Sequence, residues 1–263
     1  MRRSTIRICA LGPAVAVLVG ALLMAGCVSH RAGLTGRAGV SSWSPPTPEE
    51  TAAALDGLPF DAFVEMAYKH LMLHEPTVVT ASGLADEYGV RNDCWPDYSP
   101  EGRESCAACL DVISERLDRF SLEDLTHEQQ LTRAVLIDMV GVVSEEGEEE
   151  VCAPVFHATE SSLHTWPIHH LVNVHPLQDR SDVEDYLSRL AGLANLIEQG
   201  IVLEQERIDS GCPTPWYSLQ ALPLSVAGAM PQDVGNSTLI KSLQERLPAI
   251  VEMTEEERAN AID

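Results

Sequence analysis

The stretch "SDVEDYLSRLAGLANLIEQGIVLEQERIDSG", residues 181–211, constrains the fold more than any other. Val183, Tyr186, Leu187, Leu190, Leu193, Leu196, Ile197 and Ile201 recur at the spacing that aligns side chains on one face of an α-helix. Ser181 and Glu184 have capping-box spacing, and Gly211 offers a C-terminal stop. Other segments repeat the pattern. Residues 59–76 place Phe60, Phe63, Val64, Ala67, Tyr68, Leu71 and Met72 at helical spacing, with Pro76 closing the run. Ser99 and Pro100 open a helix over 99–120, and Thr126 with Gln129 opens another over 126–143. Strand signals are few, the segment 150–156 being the one candidate, and there is no internal repeat. The fold class read from this is mainly α, with few or no strands.

The first residues point to a compartment. Arg2, Arg3 and Arg7 precede an apolar run over residues 8–26 that ends in small residues without a stop-transfer charge cluster, the form of a secretory signal. The run closes as "LLMAGC". Ala25 and Gly26 suit a narrow peptidase cleft, and the Cys27 thiol is the nucleophile that a bacterial lipoprotein signal presents to its lipid donor. Cys27 is therefore the candidate lipidation site. Residues 1–26 read as the signal peptide, 27–56 as a Gly/Ser/Pro-rich tether, and 57–263 as a helical domain. A lipid on Cys27 would anchor the chain to the membrane without spanning it. The localisation expected is the cell envelope, with Val28 and Ser29 favouring outer-membrane sorting where an outer membrane exists.

Charge removes whole function classes. Lys plus Arg number 17 and Asp plus Glu number 40, a formal charge of −23. Residues 1–26 hold three arginines and no acid, so the remainder carries −26. No basic patch is available for phosphate contacts, so nucleic acid is not an expected partner. The acid run Glu145 to Glu150 reads as a solvated turn between helices; no spaced Asp/Asn/Gly loop supports calcium there.

Five cysteines follow Cys27: Cys94, Cys106, Cys109, Cys152 and Cys212. All five are candidates for disulfides in an oxidising compartment, and the sequence does not choose the pairing. "CAAC" at 106–109 has redox-motif spacing but no βαβ context, which favours a structural role, with zinc as the alternative. The segment "HTWPIHHLVNVHP", 164–176, is rich in imidazole, with His157 upstream. His157, His164, His169, His170 and His175 offer no H-x3-H pair, adjacent His169 and His170 point apart, and Cys152 and Glu160 are the only local co-ligands. His70 and His74 stand at i, i+4 inside an apolar helix, where a satisfied core histidine is the expected role. No metal site is assigned. There is also no G-x-S-x-G elbow, S-x-x-K box or Walker-type loop.

Three long stretches, 60–102, 122–140 and 175–220, taken in order, resemble a family of bacterial secreted proteins and lipoproteins called domain of unknown function 885. The resemblance implies a largely helical fold related to zinc-dependent peptidases. The family's zinc motif, a His-Glu pair followed shortly by Pro-Gly-His, is absent here. His74–Glu75 and His127–Glu128 are not followed by the needed histidine. The resemblance therefore implies the N-terminal part of a larger metallopeptidase-like fold, inactive alone, with zinc expected only in full-length relatives. Thr254 and Glu257 open a helix nine residues before Asp263, which fits a domain cut within its next element. By analogy with the family, Trp166, His169, His170 and Trp216 are the candidate substrate-lining residues, for a peptide or small molecule. The expected partners are the membrane and the complementary C-terminal half. Two further readings stand beside this one: a non-catalytic envelope lipoprotein that binds a ligand or partner, and a His/Cys-rich metal-binding module.

Overall fold

The computed structural model describes residues 43–149, 154–158, 162–212, 214–230 and 233–262, with the side chains of 142–149 outside that description. Cys27 and Cys152 also lie outside it, as does most of the segment read as extended. The described residues form helices joined by turns, with no strand among them. The mainly α class holds.

The N-terminal helices form one core. They are α1 (Pro48–Leu55), α2 (Phe60–Met72), α3 (Pro76–Ser82), α4 (Ala85–Tyr88), α5 (Pro100–Leu117) and α6 (His127–Glu149). Leu55, Phe60, Phe63, Ala67, Leu71, Leu110, Ile113, Leu117 and Leu136 bury together. Phe120 closes the end, with its ring 5.2 Å from Phe60 and 5.1 Å from Phe63. Each side chain buried this way contributes ~2 kcal/mol.

Part of the segment read as spacer is helical. Thr47 and Glu50 form a reciprocal capping box, and Thr51 and Leu55 of α1 are buried. Trp43 already packs on the domain, its Nε1 donating to Leu73 O at 3.0 Å. A composition rich in Ser and Pro hid these two features, since Ser, Thr and Pro also cap and start helices. Pro76 does not close α2; it occupies the first turn of α3, where its missing N–H has no partner to lose. The run Glu145 to Glu149 continues the backbone of α6 instead of forming a turn.

The C-terminal helices pack round the long element. They are α7 (Trp166–His169), which runs into a π turn (His170–Val174), then α8 (Arg180–Asp209), α9 (Trp216–Ala229), α10 (Thr238–Arg246) and α11 (Glu255–Asn260). Leu163, Leu171, Val183, Tyr186, Leu196, Leu243, Leu247 and Ile250 form this second core. The expected boxes at Thr126 and Thr254 are present. The cap of α8 is Asp179, whose carboxylate accepts from Asp182 N at 2.9 Å, not Ser181. Gly211 ends α8 at φ +89°, a left-handed conformation that glycine adopts without strain.

The buried face of α8 differs from the expected stripe. Val183, Tyr186 and Leu196 of that stripe are buried, together with Asp182, Asp185, Arg189, Gly200, Leu203 and Arg207. Leu187, Leu190, Leu193 and Ile197 are only partly so, and Ile201 is exposed. The true face is rotated by about one residue and carries four charged groups. At Gly200 a Cβ would stand 1.9 Å from Leu163 Cδ2, so the absence of a side chain lets the 162–166 turn approach the helix.

Candidate functional site

Arg189 lies at the centre of the second core and is fully buried. Its guanidinium has five N–H donors, and all five are used. Nε donates to Cys94 O at 2.9 Å. Nη1 donates to His170 Nε2 at 2.9 Å and to His175 Nδ1 at 3.0 Å. Nη2 donates to Thr80 Oγ1 at 2.6 Å and to Pro76 O at 3.3 Å. The cation sits over the Trp95 ring, 5.4 Å from its centroid. Trp95 Nε1 returns a bond to Arg189 O at 2.7 Å. One side chain of α8 thus fastens α3, the 92–95 segment and the π turn.

The π turn is what brings the two histidines to Arg189. His170 and His175 are five residues apart, far from one face of an ordinary α-helix. The wider turn, closed by His175 N donating to His170 O at 2.8 Å, swings both rings to the same side. Arg246 of α10 holds the turn's carbonyls, donating to Leu171 O, Val172 O and His175 O.

These contacts fix the tautomers. His170 accepts at Nε2, so its proton is on Nδ1. His175 accepts at Nδ1 and donates from Nε2 to Asp182 O at 3.1 Å. Burial first, and Arg189 second, hold the imidazolium forms far below the ordinary range, His170 at about 2 and His175 at about 3. Burial likewise pulls Arg189 down to about 10, which leaves it protonated at neutral pH.

A second buried charge reinforces the clasp. The Asp185 carboxylate is fully buried, accepts from Arg91 Nε at 2.6 Å and Nη2 at 2.5 Å, and accepts from Asn92 N at 2.9 Å. Asn92 Oδ1 lies 2.8 Å from Thr80 Oγ1, so Asp185, Asn92, Thr80 and Arg189 form one continuous polar chain. Such a network is chemically quiet. Three of its four imidazole nitrogens are engaged, its carboxylate is paired, and its cation meets five acceptors.

The candidate substrate-lining residues do not converge. Trp166 and His170 are neighbours, with Trp95 between them at 5.5 Å and 5.6 Å from the two rings. His169 points to solvent from the next position. Trp216 is 69% exposed and its ring contact is with Tyr217. His164 forms a separate bridge, Nδ1 to Ser162 Oγ at 2.6 Å and Nε2 to Ser225 Oγ at 2.8 Å. That is a hydroxyl–imidazole spacing, but Ser225 is inside α9, where backbone N–H groups bond four residues back and do not face an oxyanion.

Cys94, Cys106 and Cys109 carry thiols, while Cys212 is disulfide-bonded. The "CAAC" pair lies mid-helix in α5. Cys109 Sγ donates to Pro46 O at 3.4 Å, beside Thr51, whose hydroxyl also meets His70 Nδ1 at 3.0 Å. Those contacts are structural. Among the described residues no group of three His, Cys, Asp or Glu side chains is placed to hold a metal ion. Burial pushes the Cys94 thiol up to about 12. Iodoacetamide at pH 8 is therefore expected to spare Cys94 in the native protein, at least about a hundredfold slower than an ordinary thiol, and to label it readily in denaturant. Peptide mass mapping checks this; equal labelling in both states would contradict the burial.

Sequence reasoning found the histidines and missed Arg189, Trp95, Arg91 and Asp185. The available signal was a charged residue between Tyr186 and Leu190, set among apolar positions.

No curated protein and no solved structure matches the chain. A family model does, over residues 76–262, well over half of the sequence. Residues 60–75, which also carry the resemblance, lie outside that span. The matched span runs from the first residue of α3 to beyond α11, and it contains every group bonded to Arg189. The chain belongs to the family described as "Bacterial protein of unknown function (DUF885)".

Proposed function

We propose that this chain is an envelope lipoprotein, acylated on Cys27, whose helical domain is the non-metal part of a peptidase-like fold and is inactive alone. The observation that carries this is the use made of the histidines. His170 and His175 accept from Arg189, which supports a clasp role for these two of the five histidines from His157 to His175. The absence of a His-Glu pair followed by Pro-Gly-His supports the same reading. On it, zinc chemistry and substrate cleavage belong to a complementary half.

Two measurements test the proposal. The native protein, extracted from its own cells with detergent, is expected to show a diacylglyceryl and acyl increment that maps to Cys27, and Cys27→Ala is expected to abolish it. An unmodified N-terminus would sink the lipoprotein reading. The purified protein is expected to hold well under 0.1 zinc per chain and to keep its melting temperature in chelator. One zinc per chain, or a chelator-sensitive melt, would instead favour the metal-binding module. The reading as a stand-alone, partner-binding lipoprotein draws on one feature, the exposed apolar helix α9.

A further inference from the structure

From Cys212 to Gln232 the chain has no charged residue, in a protein with 57 of them. Most of that stretch is α9. None of its residues is buried. Ser218, Leu222, Ser225 and Val226 are half-buried, and Ser225 is bonded to His164. Trp216 at 69% exposure, Tyr217 at 64% and Leu224 at 80% face away from that side beside exposed Gln220 and Ala227, with Leu219 at 52% on the flank and Met230 at 67% just beyond. A short helix that is apolar on its outer side and bears no charge is a poor surface to leave in water.

We propose that α9 is a second membrane contact, lying in the interface of a zwitterionic lipid surface beside the acyl anchor. The proposal rests on the lipoprotein reading. Three features select lipid. The acyl group on Cys27 would confine the domain, because the sixteen residues from Cys27 to Ser42 span at most about 55 Å even when fully extended. The rest of the chain is acidic, so attraction to anionic headgroups is excluded and the contact must be apolar and uncharged, as α9 is. Trp216 and Tyr217 stand together at one end of the helix, and such amphipathic rings settle at the headgroup level. No described helix is long and apolar enough to cross a bilayer, so α9 would lie on the surface without spanning it.

The test uses the native acylated protein reconstituted into phosphatidylcholine vesicles, some made with lipid brominated on its acyl chains. Wild type is compared with Trp216→Phe to isolate the Trp216 emission. The expected result is that brominated lipid quenches that emission by more than half, while aqueous acrylamide quenches it several-fold less than in detergent-free buffer. Leu224→Glu, at a position exposed enough to spare the fold, is expected to keep the circular dichroism spectrum and to lose most of the bromolipid quenching. Trp216 emission quenched by acrylamide but not by bromolipid would place α9 in water and overturn the proposal. Protection from both quenchers would mean that protein covers the face, either a second copy or a complementary half, and would overturn it equally. An intact mass without the acyl increment fails the lipoprotein reading separately. In that case the same chain mixed with added vesicles still gives the bromolipid result, and no quenching there again overturns the α9 contact.

Discussion

Arg189→Ala is expected to lower the unfolding free energy by about 3–5 kcal/mol, a large share of what a domain of this size has. The loss comes less from the bonds removed than from the groups abandoned. His170 Nε2, His175 Nδ1, Cys94 O and Thr80 Oγ1 would remain buried without their donor. Each such orphan costs about 1–3 kcal/mol, partly relieved by any water that enters. For a domain of 150–250 residues, this loss corresponds to a melting temperature about 6–20 °C lower. Arg189→Lys is expected to recover little, because an ammonium has three donors and no planar fork to reach five acceptors in three segments. Val251→Ser, at a site 90% exposed, is the control and is expected to stay within about 0.5 kcal/mol of wild type. Urea unfolding followed by circular dichroism separates these outcomes. An Arg189→Ala protein as stable as the control would show that the clasp does not hold the helices together.

The elements most legible in the sequence were those with a local cause. The helix over 99–120 is announced by Ser99 and Pro100, and Ser99 Oγ does accept from Gly102 N at 3.0 Å. The box at Thr254 and Glu257 forms as spaced. The stripe of α2 buries Phe60, Phe63, Ala67, Leu71 and Met72, as its period requires. Errors appear where tertiary contacts override local pattern. In α8 the leucine-rich stripe is only half-buried, because the true inward face is built on Asp182, Asp185, Arg189 and Arg207, and periodicity of apolar residues is blind to a polar face that finds its partners inside. The cap moved from Ser181 to Asp179 for a similar reason: Asp182 is drawn inward, its carboxylate accepting from Gln178 N at 2.8 Å.

The site was legible only as a composition. Five histidines in nineteen residues suggested ligands, and the absence of H-x3-H spacing argued against them. Neither consideration could show the π turn, which converts a five-residue separation into convergence. Nor could it show that the ion meeting both rings is a guanidinium from α8. The exposed helix α9 was hidden differently. No helix is read over its residues, and only the fold shows that its large apolar side chains face outward.

The second large effect is acid lability, and its direction follows from the same contacts. His170 and His175 are neutral in the folded protein, and their pKa values of about 2 and about 3 lie well below the ordinary value of 6.5. The groups facing them are the Arg189 and Arg246 cations, the Trp95, Trp166 and Tyr186 rings, the Asp182 carbonyl and, for His170, the imidazoles of His175 and His169. The two cations oppose an imidazolium, and the Asp182 carbonyl, which favours one on His175, is outweighed by burial and Arg189. Above pH 6.5 both rings are neutral in either state, so their contribution to stability is fully present. As pH falls below 6.5 the unfolded chain binds two protons that the folded one refuses, and stability falls until the folded pKa values are reached. At pH 5 the loss is about 2 kcal/mol per ring, or about 4 kcal/mol together. Unfolding free energies measured by urea between pH 7 and 5 are expected to show this slope, approaching two protons per chain from these rings alone. His175→Gln is expected to remove about one proton from it. Arg189→Met is expected to flatten it further, because the cation that helps to depress both histidines is gone. A stability profile flat from pH 7 to 5 would mean that the rings protonate within the folded protein and that Arg189 does not hold them as described.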